Sequence, residues 1–227
     1  HPKARNYLGE WIFHELLKKE DVLNLQYDFL NVQMTVQDDL TSESMDWGLY
    51  AIEEGFDKYL LERQKRREGV ILKIDESALW EERVNFLNDQ MHLLEVPSKI
   101  FMKEGDLPVV PFSEGKIMRD SNFSRQFLVA RDLLQGYLKK ELPPSEIFDL
   151  ERLAKFNAIC AFVGGSHALN MHNGRLYYNP INGKLEPIGF DANAWQRSYW
   201  MPMYFGAEKD FEYLKLLGNE LEKMISE

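Results

Sequence analysis

The sequence has a single cysteine, Cys160, among its 227 residues. One cysteine cannot form a disulfide within the chain, so an internal disulfide is excluded. Cys160 lies in an apolar run of helical character, and no neighbouring residue would activate its thiol as a nucleophile. The sequence therefore predicts a buried free thiol at this position.

Basic charge and long apolar runs are also scarce. The chain carries 27 lysines and arginines against 37 aspartates and glutamates, which gives a net charge of −10. A nucleic-acid-binding protein would show a basic face, so we expect no nucleic-acid partner and no binding to anionic membrane surfaces. No apolar run reaches the length of a membrane span. The chain begins at His1 without a methionine or a signal peptide, so we expect upstream residues to be missing.

The pattern of the first part, residues 1–76, predicts a small α+β unit. An apolar stripe indicates a helix over residues 3–19, and alternation indicates strands at 25–36, with a bulge near Phe29 and Leu30, and at 47–52. A charged helix is expected over 53–67. A short buried strand follows at 70–74, with Lys73 as its one charge. The predicted helix stripe consists of Leu8, Trp11, Ile12, Glu15 and Leu16.

The second part, residues 77–227, is predicted to be mainly helical. Helices are expected over 80–94, 121–140, 147–163 and 207–225, and Gly164 and Gly165 are expected to end the third. Two strands, 175–179 and 185–190, are joined by an Asn-Pro-Ile-Asn-Gly turn and form a β-hairpin. This hairpin belongs to the most informative segment, residues 166–191.

That segment gathers polar side chains that suit a metal and a phosphate. Asp191 ends a strand next to a glycine, where a carboxylate could bind Mg²⁺; the alternative is a cap to Asn193. Asn173 precedes the other strand and is either a second metal ligand or a turn residue. His167 and His172 are five residues apart, which does not match a helical zinc pair, and either could be a hydrogen-bonding spacer or a base.

Other polar groups have plainer interpretations. Glu186 could be a solvated strand residue. The basic run 65–67 is expected to be a solvated helix end, with phosphate binding as the alternative. The aromatic residues between 195 and 205 suit either a core beneath a loop or stacking on a base.

The segment His172-Asn173-Gly-Arg-Leu-Tyr-Tyr-Asn-Pro-Ile-Asn-Gly-Lys-Leu-Glu-Pro-Ile-Gly-Phe-Asp191 resembles the signature of the CotH family, atypical kinases named after a spore-coat protein. In that family a His-Asn pair opens a strand, a turn with Gly-Lys follows, and the next strand ends in an aspartate. Residues 5–17, 27–36, 47–54, 57–58 and 69–73 are also similar to the family, so the resemblance covers most of the chain, most weakly over 77–119.

The resemblance implies an atypical protein-kinase-like fold with two lobes: a small mixed N-lobe remnant and a mainly helical C-lobe that holds the hairpin. It implies phosphoryl transfer from ATP to protein serine. Asp191 and Asn173 would bind Mg²⁺, and Lys73 would contact the nucleotide. The partner would be a protein substrate or a coat or surface component, at a bacterial cell or spore surface.

One departure from the family leaves a second function open. The family's catalytic aspartate lies five residues before the asparagine, and this position is Ala168 here. His167 could accept the hydroxyl proton instead, or the protein could be a pseudokinase that acts as a nucleotide-binding scaffold. A third hypothesis is metal-dependent hydrolysis by His167, His172 and Asp191. The family's opening strands, with a nucleotide-contacting lysine, would lie upstream of His1.

Overall fold

The structure, a computed structural model, describes residues 8–37, 42–78, 80–81, 84, 107–170, 173–195 and 210–226. It confirms a mixed α+β architecture with two antiparallel sheets. The elements in chain order are α1 (Gly9–Lys19), β1 (Tyr27–Gln37), β2 (Ser42–Glu53), α2 (Lys58–Arg63), β3 (Ile71–Ile74), β4 (Val109–Pro111), α3 (Glu114–Arg119), α4 (Ser121–Leu138), α5 (Pro144–Ile147), α6 (Leu150–Val163), a 3-10 turn (Ser166–Leu169), β5 (Arg175–Asn179), β6 (Lys184–Ile188) and α7 (Phe211–Ser226).

The central sheet has four strands in the order β4-β3-β5-β6. The predicted hairpin is present as β5 and β6, with Asn179 opposite Lys184 at the turn. β3 pairs with β5 so that Lys73 lies opposite Arg175. One sheet therefore contains a strand from residues 1–76 and three from 77–227, and the division into two lobes stays a prediction.

Helix α6 is the most buried helix that the structure describes, as its apolar sequence predicts. It packs against α1, α7 and β6. The predicted helix over 147–163 is divided, however, because Phe148 is extended and bridges Leu185, and Asp149 then caps α6 through the backbone N–H of Arg152. Gly164 ends the helix with a φ of 65°, a left-handed conformation that favours glycine. Cys160 is fully buried, as predicted, and burial raises the pKa of its thiol well above the ordinary value.

The buried face of α1 differs from the predicted stripe. The predicted stripe residues are exposed, apart from the partly buried Leu16, and Leu8, Trp11 and Ile12 are 50%, 37% and 37% exposed. The physical reason is that Glu10 and His14, two polar residues, are buried because they hydrogen-bond to the rest of the fold. A prediction that places only apolar residues on the buried face therefore selects the wrong face of the helix. The face that is buried consists of Gly9, Glu10, Phe13, His14 and Leu17.

Strands β1 and β2 form a separate two-stranded ribbon whose residues are mostly exposed. A bulge is present, as expected, but it lies between Val32 and Gln33 rather than near Phe29. β2 extends to Glu53, and Asp57 caps α2, so the predicted helix over 53–67 is reduced to Lys58–Arg63. Lys65 then turns the chain with a φ of 58°.

The remaining helix predictions agree to different extents. The helix expected over 121–140 is present as Ser121–Leu138, where Asp120 accepts hydrogen bonds from the backbone N–H groups of Asn122 and Phe123. The C-terminal helix begins at Phe211, and residues 207–209 lie outside the described residues, as does most of the predicted helix 80–94. Within the described ranges, none of the helices combines the length and the apolar character that a membrane crossing requires.

Candidate functional site

The structure brings together three of the predicted site residues. His167 lies in the 3-10 turn after α6, Asn173 lies just before β5, and Asp191 lies just beyond β6. They converge because the antiparallel hairpin returns the chain to the end of α6, where Gly164 and Gly165 turn it into the 3-10 turn. His172, the fourth predicted residue, lies outside the described residues.

His167 and Asp191 form a close pair. Nδ1 of His167 lies 2.8 Å from the backbone oxygen of Asp191 and 3.3 Å from its carboxylate Oδ2. Both partners are acceptors, so we assign the ring hydrogen to Nδ1. The neutral ring then has its lone pair on Nε2, to which no described residue is hydrogen-bonded. The hydrogen bond to the Asp191 carboxylate raises the pKa of His167 although burial opposes it, which makes the imidazole a stronger base.

Asn173 anchors the turn to the end of β6. Its side chain is nearly buried, with 6% exposure of the residue. Nδ2 lies 3.3 Å from the backbone oxygen of His167 and 3.4 Å from those of Phe190 and Asp191, so it donates to this group of carbonyls. Its approach to His167 Nδ1 is therefore a contact between two donors. Oδ1 accepts no hydrogen bond from any described residue and is the atom that could bind a metal.

Asp191 begins an unusual stretch of backbone. Asp191, Asn193 and Trp195 have φ values of 47°, 52° and 60°. Aspartate and asparagine tolerate this left-handed region, whereas for a tryptophan it is rare and strained. Such conformations persist when the surrounding structure holds them.

The support for this stretch comes from α1. The carboxylate of Glu10, which is only 2% exposed, accepts hydrogen bonds of 3.0 and 3.1 Å from the backbone N–H of Ala192. His14, 1% exposed, accepts a 2.9 Å bond from the N–H of Leu25 through Nδ1, and its Nε2 lies 3.5 Å from Glu10. Sequence reasoning missed both residues. Their signal is a polar pair four residues apart that shares a face with Phe13 and Leu17.

A close approach of backbone to helix completes this support. A Cβ atom at Gly189 would lie 2.2 Å from Leu17 Cδ1 and 3.2 Å from Phe13 Cε1. The absence of a side chain at Gly189 therefore leaves the space that Leu17 and Phe13 of α1 occupy beside the end of β6.

Lys73, assigned to the nucleotide by resemblance, lies on β3 opposite Arg175 of β5 and forms no hydrogen bond or ion pair with the three converging residues. Its Nζ is 5.4 Å from the centre of the Phe112 ring. Beside it on β5, the guanidinium of Arg175 lies 4.6, 5.7 and 5.9 Å from the rings of Phe190, Phe112 and Phe56. Arg175 was not predicted as a site residue, because its neighbour Lys73 is distant in sequence and only the pairing of β3 with β5 brings them together.

Two plainer interpretations are wrong, one for Glu186 and the other for a single residue of the basic run 65–67. Glu186 is not solvated: it is 1% exposed and forms ion pairs with Arg66 and Arg152 at 2.9 and 3.1 Å. In the basic run 65–67, Lys65 and Arg67 are exposed, as expected of a solvated end, and only Arg66 departs from the expectation, with a side chain that is 10% exposed. Of the aromatic residues, Trp195 is 47% exposed, and those from 199 to 205 lie outside the described residues.

The oxygen atoms of the site fit magnesium better than zinc. Among residues that the structure describes, no three His, Cys, Asp or Glu side chains form a metal-binding group. The Asp191 carboxylate and Asn173 Oδ1 are ligands of the kind that Mg²⁺ takes when water and substrate phosphate complete its shell. The hydrolase hypothesis depends on His172, which the structure does not describe. Models of known protein families give no match to the chain, and neither do curated proteins.

Proposed function

We propose that the protein is a metal- and ATP-dependent phosphotransferase of the CotH type, with a two-lobe kinase-like fold, that acts on protein serine. The observation that supports it most directly is the His167–Asp191 pair. An imidazole held at Nδ1 by a carboxylate, with Nε2 accessible, is suited to accept a proton from a hydroxyl group. The His167 side chain is 38% exposed, so a substrate can reach it.

Phosphoryl transfer requires the protein to position the reactants and to stabilise charge. Asp191 and Asn173 would hold Mg²⁺, which when bound would neutralise charge on the transferred phosphoryl group. His167 Nε2 would take the proton of the serine hydroxyl. Ala168, at the family's catalytic position, is 3% exposed and belongs to the hydrophobic core. This burial supports a base at the neighbouring residue.

A second candidate is a pseudokinase, a scaffold that keeps the nucleotide site without catalysis. It is favoured by Asn173, whose amide nitrogen is used to hold backbone carbonyls together, and by the absence of an acidic side chain at position 168. Replacing Ala168 with aspartate would not discriminate, because it would place a carboxylate in the core.

The test combines binding and transfer. Titration calorimetry with Mg²⁺-ATP would be followed by mass spectrometry of protein substrates, using wild type, Asp191→Asn, His167→Gln and the control Asp46→Asn on the exposed ribbon. A phosphotransferase loses transfer in Asp191→Asn and loses roughly 100- to 10,000-fold of it in His167→Gln, the usual range for a general base. Binding without transfer in wild type identifies the pseudokinase. If the wild type neither binds Mg²⁺-ATP nor transfers phosphate, both the phosphotransferase and the pseudokinase are rejected.

A further inference from the structure

The β1–β2 ribbon carries most of its apolar side chains on one face. β1 contributes no extra residue at the bulge, so every second residue of it points to the same face; these are Asp28, Leu30, Val32, Met34 and Val36. Residues directly opposite each other in an antiparallel pair share a face, so their partners on β2 lie there too. The partners are, in the same order, Ile52, Tyr50, Gly48, Met45 and Glu43. This face is therefore apolar along most of its length, with an acidic residue near each end.

Trp47 adds an aromatic ring to this face. It is the extra residue that β2 contributes at the bulge. Its ring stacks on that of Tyr50, with 6.0 Å between the ring centres and 26° between the ring planes. Since Tyr50 belongs to the face, Trp47 covers the same side of the ribbon. We call this surface the apolar ribbon face; its exposed large members are Leu30, Val36, Met45, Trp47, Tyr50 and Ile52.

The apolar ribbon face is not covered by the described part of the fold. Its six exposed members are each between 40% and 50% exposed. Among the described elements, β1 and β2 pack mainly on each other. The opposite face is mostly polar, and its exposed large apolar residues are Phe29 and Leu49. A contiguous apolar patch that stays exposed on a folded domain marks a surface for interaction.

The charge around this face has one sign. Residues 27–53 contain no lysine or arginine, and their acidic residues are Asp28, Asp38, Asp39, Glu43, Asp46 and Glu53. Asp28 and Glu43 are exposed on the apolar ribbon face itself. A second copy of this chain, with its net charge of −10, would place the same acidic residues against each other, and this repulsion opposes pairing of two ribbons. A partner that carries basic side chains beside its apolar ones is electrostatically complementary.

The dimensions of the face suit a single helix. Each strand occupies about 4.8 Å across a sheet, so the ribbon is about 10 Å wide. An α-helix with its side chains has a diameter of about 10–12 Å. The apolar stretch of β1 from Leu30 to Val36 is about 20 Å long at about 3.3 Å per residue. A helix covers this distance with about 14 residues.

We infer that the apolar ribbon face binds one amphipathic helix of a partner protein, whose apolar stripe is flanked by lysine or arginine side chains that contact Asp28 and Glu43. The apolar stripe would bury the exposed side chains of the face, and the flanking cations would neutralise its acidic ends. This inference goes beyond the proposed function and does not rest on it, because no residue of the face belongs to the candidate site.

The experiment measures binding of a synthetic peptide to the full chain by fluorescence anisotropy. The probe is a labelled amphipathic peptide of about 14 residues, with leucines at helical spacing and lysines elsewhere. The comparison peptide has the same leucines and a glutamate in place of every lysine. Wild type should bind the lysine peptide, more weakly as the salt concentration rises, and should not bind the glutamate peptide.

Matched variants locate the contact on the ribbon. Ile52 lies on the apolar ribbon face and Leu49 on the opposite face, and they are 50% and 62% exposed. Ile52→Thr should weaken binding of the lysine peptide about tenfold, the effect of losing part of one buried apolar side chain, whereas Leu49→Thr should leave it unchanged.

A second pair of variants tests the charge. Glu43→Gln removes an acidic group from the apolar ribbon face, and Asp46→Asn removes one from the opposite face. Glu43→Gln should weaken binding about two- to fivefold and reduce its dependence on salt, whereas Asp46→Asn should do neither. An equal loss of affinity in both variants would mean that the peptide responds only to the net charge of the protein, and this would overturn the inference.

Other results would overturn it as well. One is a wild type that does not bind the lysine peptide, and another is an Ile52→Thr variant that binds it normally. A wild-type dimer in sedimentation that Ile52→Thr converts to a monomer would identify a second copy as the occupant. Binding to phosphatidylcholine vesicles that Ile52→Thr abolishes would identify a lipid surface. A lower urea midpoint, or failure to fold, in Ile52→Thr but not in Leu49→Thr would show that the chain itself covers the face.

Discussion

Replacing Glu186 with glutamine tests how much the buried ion-pair network stabilises the fold. The Glu186 carboxylate is 1% exposed, and its Oε2 lies 2.9 Å from Arg66 Nε and 3.1 Å from Arg152 Nε. Its Oε1 accepts a 2.7 Å hydrogen bond from Asn179. Glutamine has almost the same shape but no charge, so Glu186→Gln leaves two largely desolvated arginines without their shared partner.

Removing one member of a buried ion pair costs about 3–5 kcal/mol, because the remaining charge is left uncompensated. Here Asp21 still neutralises part of the charge, so we expect a loss near the lower end, about 3 kcal/mol in the free energy of unfolding. With a urea dependence of about 2–3 kcal/mol per molar, the unfolding midpoint should fall by about 1–1.5 M.

Asp21 provides a matched control, because it binds the same two arginines from the surface. Its side chain is 66% exposed, with contacts of 3.2 Å to Arg66 and 2.9 Å to Arg152. Exposed ion pairs contribute about 0–1 kcal/mol, so Asp21→Asn should change the midpoint little. Urea unfolding followed by circular dichroism measures both variants. Equal destabilisation by the two substitutions would refute the argument that burial determines the effect.

Three further predictions concern packing, reactivity and pH. Gly189→Ala should cost about 1–3 kcal/mol of unfolding free energy through overpacking against Leu17, whereas Gly55→Ala, where a Cβ would meet nothing within 4 Å, should be neutral in the same urea titration. Cys160 should react with a thiol reagent only after unfolding, because burial raises its pKa and blocks access; rapid labelling of the native protein would contradict this. Burial raises the pKa of Asp21, but hydrogen bonds from Arg66 and Arg152 outweigh it and leave the pKa lowered. The stabilisation from Asp21 should therefore be present above about pH 4 and be lost as the pH falls further. The measurement is the difference in unfolding free energy between wild type and Asp21→Asn, which should become smaller at lower pH.

The hairpin and its polar neighbours could be predicted because their signals are local. Alternating strands, a turn containing Asn and Gly, and a glycine pair after an apolar helix each specify structure within a few residues. These elements are enough to bring His167, Asn173 and Asp191 together. The grouping of the candidate site was therefore available from the sequence, whereas the roles of its residues stay hypotheses.

The rest of the site could not be predicted because it depends on contacts between distant segments. Glu10 is 182 residues from its partner Ala192 in the sequence. A glutamate on a helix is normally expected on the exposed face, whereas Glu10 lies on the buried face of α1. A solvated strand position was one interpretation of Glu186 for the same reason, since its partner Arg66 is 120 residues away. In both cases a polar residue is buried because a specific partner compensates for its desolvation, and composition cannot identify that partner.

The sheet that unites β3 with β5 has a consequence for how the protein is made. When a ribosome has completed β3, the strand that will lie beside it, at residues 175–179, has not yet been synthesised. Contacts of such high contact order form slowly, and a nascent chain that exposes an unpaired apolar strand is prone to misassembly. Ala192, which donates hydrogen bonds to Glu10, is also synthesised late, so α1 would leave the ribosome long before its buried polar side chain can form these bonds. Chains truncated before residue 192 should therefore depend on chaperones for solubility far more than the complete chain does.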